Sequence, residues 1–403
     1  MGLNETPSAE RTHIGFFGLR NAGKSSVVNA VCGQDLAVVS DVAGTTTDAV
    51  SKAMEILPLG PVVVVDTPGI DDEGALGQMR VRSAKRVLAR VDVAVLVVDA
   101  TKGLSETDKD LIDLFGKRGI AFVVAYNKCD LLDERERLGE GSIYVSALTG
   151  EGIFELKELL GHVKPSQGEG RRLLADLIHA NDTVILVCPI DESAPKGRMI
   201  LPQQQAIRDC LDAGAHALVV RETELASALA ALRDDPALVV TDSQAFKVVA
   251  EIVPDRIPLT SFSILMARYK GFLETAAEGV AAIEGLKDGD KILMAEGCTH
   301  HRQCNDIGTV KIPRWIRAHT KADLTFETSS GRGYPDDLTQ YALVVHCGGC
   351  MITERDVRWR MRCALEQGVP FTNYGLVIAQ MTGTLERSVR LFEDVHEMVV
   401  GRG

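Results

Sequence analysis

Gly18-Leu19-Arg20-Asn21-Ala22-Gly23-Lys24-Ser25 decides the fold of the first part of this chain. The octet follows an apolar stretch at 13–17 and precedes a helical stretch at 26–32, the strand–loop–helix setting of a phosphate loop. Its glycines let the backbone close around an anion, and the helix N-terminus turns unpaired N–H groups toward that anion. Outward from the loop, apolar strands are predicted at 62–66, 93–99, 121–127 and 143–146, alternating with longer amphipathic stretches. This alternation predicts a doubly wound parallel sheet.

The loop alone does not choose a nucleotide, but its companions do. Asp66-Thr67-Pro68-Gly69 ends a strong strand, which puts a carboxylate near magnesium and the Gly69 amide near a γ-phosphate. Asn127-Lys128-Cys129-Asp130 supplies a guanine test, because the Asp130 carboxylate can accept from both N1–H and the 2-amino group. Ser146-Ala147 ends the last strand and can present a backbone amide to the guanine oxygen. Gly44-Thr45-Thr46-Thr47-Asp48 sits where a switch loop brings a threonine to magnesium; Thr46 is the choice and Thr45 the alternative. Lys24 is expected on the β- and γ-phosphates and Ser25 on Mg2+, with Gly18, Asn21, Ala22, Gly23 and Ser26 completing the cradle. The expectation is a GTPase with Lys24, Thr46 and Gly69 at the reacting phosphate. Ile70 follows Gly69 where some GTPases place a water-positioning glutamine, so unassisted turnover should be slow.

A chain of 403 residues exceeds one compact core. The predicted class is α/β with three domains: an N-terminal P-loop GTPase with a doubly wound sheet at 1–165, then two smaller α/β domains at 171–260 and 261–403. The turn-forming run at 164–170 marks the first boundary. In the middle segment, strands at 184–188, 217–220 and 238–241 alternate with helices at 203–213, 222–232 and 244–252. It has neither a phosphate loop nor a ligand cluster, so it reads as an interaction module whose edge strand can pair with a second copy. The third segment opens with helix at 263–286, then two apolar strands, 291–295 and 342–345, run into Cys298 and into His346-Cys347. No internal repeat is evident.

The formal net charge of −12 argues against a general nucleic-acid role. The longest apolar run, 91–100, is interrupted by Asp92 and Asp99 and is too short to span a bilayer, so no membrane role is expected. Residues 1–12 carry neither secretory nor transit character, which predicts a cytoplasmic protein. Nine cysteines then read as thiols or metal ligands. Cys298, Cys304, Cys347 and Cys350 gather in one region with His300 and His346, whereas Cys32, Cys129, Cys188, Cys210 and Cys363 are scattered and read as small core residues. Cys-x-x-Cys before a capped helix at Thr353-Glu354-Arg355-Asp356 predicts thiols whose pKa the helix N-terminus lowers. Two sites fit the spacing: structural zinc on Cys298, Cys347, Cys350 and His300 or Cys304, or a 4Fe-4S cluster on three cysteines with one iron open. Arg302, Lys311, Arg314 and Arg317 are candidates to line an anionic pocket, though a solvated face is the plainer reading, and Trp315 and Trp359 read as packing.

Through its first 160 or so residues the chain resembles the translation-factor-like GTPases of the TrmE and Era group, on the strength of Asn21 and the Gly-Thr-Thr-x-Asp switch. That resemblance implies that Asn21 helps hold K+ against the phosphates, in the electrostatic role of an arginine finger. Cys-x-His, then His-Cys-x-x-Cys, joined to such a GTPase, resembles the HydF family of maturation GTPases for iron-only hydrogenase along nearly the whole chain. The resemblance implies a dimerisation domain, a 4Fe-4S cluster on Cys298, Cys347 and Cys350, and His300 or His346 as further ligand or pocket wall. It also implies partners: two radical-SAM maturases that build a diiron precursor, and an apo [FeFe]-hydrogenase that receives it. Cys304 lies outside that family's motif and is read as a neighbour of the cluster; a fourth thiolate there would close the open iron. The rival expectation is an RNA- or ribosome-associated assembly GTPase with a zinc-stabilised C-terminal domain.

Overall fold

The computed structural model describes residues 8–33, 50–67, 87–88, 90–163, 172–190, 199–297, 306–331 and 333–401, and it divides into two compact units at 169/170. The first is built on a six-stranded sheet in the order β2-β3-β1-β4-β5-β6. Its strands are β1 (Thr12–Phe17), β2 (Val50–Ile56), β3 (Gly60–Asp66), β4 (Val93–Asp99), β5 (Ala121–Asn127) and β6 (Ser142–Tyr144). Every residue of β4, Val-Ala-Val-Leu-Val-Val-Asp, is buried, as a central parallel strand covered on both faces requires. Helices α1 (Lys24–Cys32), α2 (Glu106–Lys117) and α3 (Ile153–His162) are described in this unit. A capping box at Ser105 and Asp108 starts α2. The expected sheet is present, with one addition: β2 pairs antiparallel with β3 along seven residues. Its sequence, Val-Ser-Lys-Ala-Met-Glu-Ile, alternates with polar residues as an edge strand does.

The second unit holds two four-stranded parallel sheets. One contains β7 (Thr183–Val187), β8 (His216–Val220), β9 (Leu238–Thr241) and β10 (Leu259–Ser261), ordered β10-β9-β7-β8. Helices α4 (Leu201–Asp212), α5 (Leu225–Ala231) and α6 (Phe246–Ile252) connect its strands. After β10 come α7 (Phe262–Tyr269) and α8 (Leu273–Val280), so the long helix expected at 263–286 is broken where Gly271 takes φ 69°. The other sheet contains β11 (Lys291–Glu296), β12 (Thr325–Ser330), β13 (Leu343–His346) and β14 (Phe371–Asn373), ordered β12-β11-β13-β14. Its helices are α9 (Ile312–Thr320), α10 (Glu354–Glu366), α11 (Tyr374–Thr382), α12 (Leu385–Val389) and α13 (Glu393–Val400). Both sheets are built to one plan. Counted in chain order, each runs second, first, third, fourth.

The likeness extends to individual bonds, which corrects the expectation of no internal repeat. In one sheet Ala237 N donates to Thr183 O at 2.9 Å, and in the other Ala342 N donates to Lys291 O at 2.8 Å. Val239 N reaches Pro258 O and Val344 N reaches Pro370 O, both at 2.9 Å. Ser261 and Asn373 cap α7 and α11 through Ile264 N and Leu376 N. The two copies also grip each other reciprocally. Thr260 Oγ1 donates to Ser388 O at 2.9 Å, and its counterpart Thr372 Oγ1 donates to Ala276 O at 2.8 Å. Aligned by these bonds, Leu-Thr-Ser-Phe at 259–262 matches Phe-Thr-Asn-Tyr at 371–374, and Gly271-Phe272-Leu273-Glu274 matches Gly383-Thr384-Leu385-Glu386. So few identities, set among loops of unequal length, do not stand out from the sequence.

One hydrophobic core runs through both copies, from Leu173 and Val184 through Ile264, Phe272, Leu293 and Val345 to Val395. The expected boundary at 260/261 falls inside β10, and the two sheets share this core. Trp315 and Trp359 pack against that core, and Trp359 meets Tyr334 edge to face at 5.9 Å. No helix among the described residues is long and apolar enough to cross a membrane.

Gly279 is where α8 meets β14 backbone to backbone: a Cβ there would lie 2.1 Å from Phe371 O. Gly279→Ala must push the two copies apart, and overpacking of this kind costs about 1–3 kcal/mol. A urea unfolding curve is expected to show that loss in the transition of the second unit.

Candidate functional site

Two clusters are built at the carboxyl ends of parallel strands, where open α/β sheets place their ligands. In the first unit β1 runs into Gly18, whose φ of 148° and lack of a Cβ are both needed, since a Cβ would lie 2.3 Å from Val97 O. Asn21 and Gly23 take φ of 65° and 82°, curling the loop into the start of α1. Lys24 is buried and forms an ion pair with Asp66 at the end of β3; burial lowers the pKa of its ammonium while Asp66 opposes that shift. Ser25 Oγ donates to the other Asp66 oxygen at 3.2 Å. Lys24, Ser25 and Asp66 thus meet at one point.

Asn127 joins this loop to the opposite side of the pocket. Its Nδ2 donates to Ala22 O at 2.9 Å, and its Oδ1 accepts from Ala147 N at 3.0 Å. The amide approaches Gly23 so closely that a Cβ there would sit 2.2 Å from Nδ2. Lys128, at φ 67°, donates through Nζ to Asn21 O at 2.8 Å and to Asp99 Oδ2 at 2.6 Å. Burial works against ionisation of Asp99, yet hydrogen bonds from Lys128 and Thr101 hold its carboxyl below the ordinary range. Asp130 is exposed beside the buried Cys129, and Ser146 is fully buried with its Oγ accepting from Thr149 N at 3.2 Å. Asp99 is a positioning residue that sequence reasoning passed over; the one signal was a carboxylate ending an otherwise apolar strand. Thr45, Thr46, Gly69 and Ile70 lie outside the described residues, as does most of the predicted switch sequence.

In the second unit the cluster lies where β11 and β13 adjoin. β11 ends at Glu296-Gly297, directly before Cys298, and β13 ends at His346 and passes into Cys347-Gly348-Gly349-Cys350. Cys347 N donates to Ala295 O at 2.9 Å. The Cys347 sulfur accepts from Gly297 N at 3.1 Å and from Gly349 N at 3.4 Å. The two halves of the motif therefore meet at the residue preceding Cys298. Gly349, at φ 67°, turns the loop, and Thr353 caps α10 through Asp356 N as expected. The thiols differ from expectation. Burial pushes Cys347 up and Cys350 up to about 11, because desolvation outweighs the backbone N–H groups around the sulfurs. Cys298, His300, Cys304 and Arg302 lie outside the described residues.

His346 faces inward. It is fully buried, its Nδ1 lies 2.6 Å from Cys347 O, and its Nε2 lies 3.4 Å from Arg360 Nη1. Burial, reinforced by Arg360, lowers its pKa to about 3, so the ring is neutral. Phe371 and Phe272 flank it at 5.6 and 6.5 Å. Arg360, 1% exposed, is the second residue that sequence reasoning missed. It pairs with Asp356 at 3.0 Å and donates to Glu296 O at 3.2 Å and Gly331 O at 2.7 Å. Among the basic candidates, Lys311 donates to Gln244 Oε1 at 2.7 Å and Arg317 to Leu324 O at 2.8 Å, while Arg314 is exposed. The scattered cysteines divide: Cys129, Cys188 and Cys210 are buried, and Cys32 and Cys363 are half-buried.

Three family models match the chain. A 50S ribosome-binding GTPase model covers residues 13–128, the Hydrogen maturase F dimerization domain covers 173–271, and the Hydrogen maturase F tetramerization domain covers 274–391. The chain is 39% identical over 147 residues to the tRNA modification GTPase MnmE of Xanthomonas euvesicatoria pv. vesicatoria (strain 85-10), covering 36% of this chain and 32% of that one. It is 33% identical over 179 residues to GTPase Der of Kosmotoga olearia (strain ATCC BAA-1733 / DSM 21960 / TBF 19.5.1), covering 39% of this chain and 40% of that one. It therefore spans well under half the length of either relative. Among solved structures, Era in complex with MgGDPNP and 16S ribosomal RNA nucleotides gives a TM-score of 0.35 at 21% identity, covering 52% of this chain and 93% of that one. NFeoB from S. thermophilus bound to GDP.AlF4- and K+ gives 0.32 at 24% identity, covering 40% of this chain and 64% of that one. The first unit contains a GTPase domain.

Breaking a buried ion pair costs about 3–5 kcal/mol when one charge is left behind. Arg360→Gln is expected to lose about that much stability in the second unit, read from its urea midpoint, because Asp356 and two strand-end carbonyls lose their donor.

Proposed function

The chain belongs to the hydrogen maturase F family, and from that membership we propose that it is a GTP-hydrolysing scaffold for maturation of an [FeFe]-hydrogenase. In this reading it carries a 4Fe-4S cluster on Cys298, Cys347 and Cys350. Two radical-SAM maturases build the diiron precursor that it receives, and an apo [FeFe]-hydrogenase takes that cargo. The matches to dimerisation and tetramerisation domains support homo-oligomerisation.

The single observation that carries the cluster assignment is the Cys347 sulfur, which accepts two backbone N–H bonds, one of them from the residue adjoining Cys298. Backbone N–H groups aimed at sulfur stabilise a thiolate, and thiolates suit iron–sulfur clusters. When bound, the cluster supplies an iron whose remaining coordination position can bridge to the cargo. Cys347 and Cys350 hold it from a loop whose entry and exit are both fixed, and His346 orients that loop from the core side. With both ring nitrogens facing Cys347 O and Arg360, His346 is better suited to positioning than to ligation.

In the GTPase domain, Lys24, Ser25 and Asp66 are assigned to the phosphates and Mg2+, with Thr46 and Gly69 completing the reacting end. Asn127, Lys128, Asp130, Ser146 and Ala147 are assigned to the guanine side. The carboxylate of Asp130 selects guanine over adenine, which offers no pair of donors in that position. Asn21 is assigned to K+. Its carbonyl is held by Lys128 and its side chain is exposed at the rim of the loop.

Anaerobic purification followed by metal analysis and electron paramagnetic resonance is expected to find about four irons with matching sulfide per chain. Cys298→Ser, Cys347→Ser and Cys350→Ser should each abolish the cluster and Cys304→Ser should retain it; stoichiometric zinc instead would favour the RNA-associated alternative. The GTPase rate is expected to be higher in potassium than in sodium at equal ionic strength. Equal rates would remove K+ and the role given to Asn21.

A further inference from the structure

Lys270 stands at the corner between α7 and α8, and only 3% of it is exposed. Its ammonium donates to Ile352 O at 2.8 Å, two residues beyond Cys350 and directly before the Thr353 cap. The same corner presents Phe272 to the His346 ring, and Gly271 O accepts from Arg358 Nε at 3.4 Å. Three successive residues of this corner therefore reach the cysteine loop, α10 and the end of β13 in the second copy.

The internal repeat provides a control within the molecule. The counterpart of Lys270 in the other copy is Thr382, whose hydroxyl turns back to Ile378 O at 2.8 Å within its own helix. Of these two equivalent corners, the one against the cysteine loop carries the cation. Withdrawing an ammonium from water is costly, and a position on the loop that carries the thiols offsets that cost when the thiols bind as anions.

Resting on the iron–sulfur reading above, we propose that Lys270 is a positioning residue for the cluster. It clamps the Cys347–Ile352 loop through the Ile352 carbonyl and sets a fixed positive charge two residues from Cys350. Outer partners of this kind tune the potential and affinity of a metal site without touching the metal.

The test compares the full-length wild-type chain with Lys270→Gln, Lys270→Met and Lys270→Arg, each reconstituted anaerobically with iron and sulfide. Three quantities are read: bound iron and sulfide, the rate of iron loss to a chelator, and the midpoint potential from a dithionite titration followed by electron paramagnetic resonance. Gln keeps an N–H donor without charge, Met keeps neither, and Arg keeps both. Both neutral variants are expected to titrate at more negative potential than wild type, with the Arg variant close to wild type. The Met variant should release iron roughly tenfold faster, the lower end of what outer-partner mutations cost. Midpoints in the Gln and Met variants equal to wild type would overturn the charge role. An unchanged rate of iron loss in the Met variant would overturn the clamp. A wild-type chain that binds no iron–sulfur cluster would overturn the carrier reading and this proposal together, so the two failures are told apart.

Discussion

A buried guanidinium organises the ligand-bearing end of the second unit. Arg360 reaches the last residue of β11, the residue following β12 and the ring that ends β13, while Asp356 neutralises it one helical turn away. Two strand-end carbonyls, Glu296 O and Gly331 O, accept from it, and they converge with the His346 ring where the cysteine loop begins. One planar group with five donors in a fixed fork serves Asp356 and both carbonyls at once. Tyr334 closes the arrangement, stacking on the guanidinium at 5.3 Å and donating to Arg360 O at 3.0 Å.

The first unit solves a similar problem with a neutral group. Asn127 uses both ends of its amide to tie the phosphate loop to the Ser146-Ala147 turn, and Lys128 adds a charged tie to Asp99. The consequence is that guanine-side and phosphate-side residues share a frame. A substitution at Asn127 would loosen the 18–25 loop, which is assigned above to the phosphates.

Most of the nucleotide site was legible because its motifs are contiguous and each sits at the end of a strand whose apolar run announces it. The sheet that carries them was legible for the same reason, as were β11 and β13 and the meeting of their ends. Less was readable where the physics is distributed. The edge strands β2 and β12, Val-Ser-Lys-Ala-Met-Glu-Ile and Thr-Phe-Glu-Thr-Ser-Ser, carry polar residues that weaken a strand signal. β10 and β14 are three residues each, too short for periodicity to register. Arg360 and Lys270 gave no cue, because their partners lie in other segments of the chain. The expected lowering of the thiol pKa failed on a competition of magnitudes: a capped helix is present, but burial is the larger influence.

The exchanged threonine bonds have a further consequence. Thr260 and Thr372 each spend a fully buried hydroxyl on the other copy's helix, so neither copy can unfold while leaving the other's interior satisfied. The two copies then fold as one cooperative unit. On the iron–sulfur reading proposed above, a lesion far out in the dimerisation module would be felt as lost iron, and a chain born without its metal would be felt as poor association.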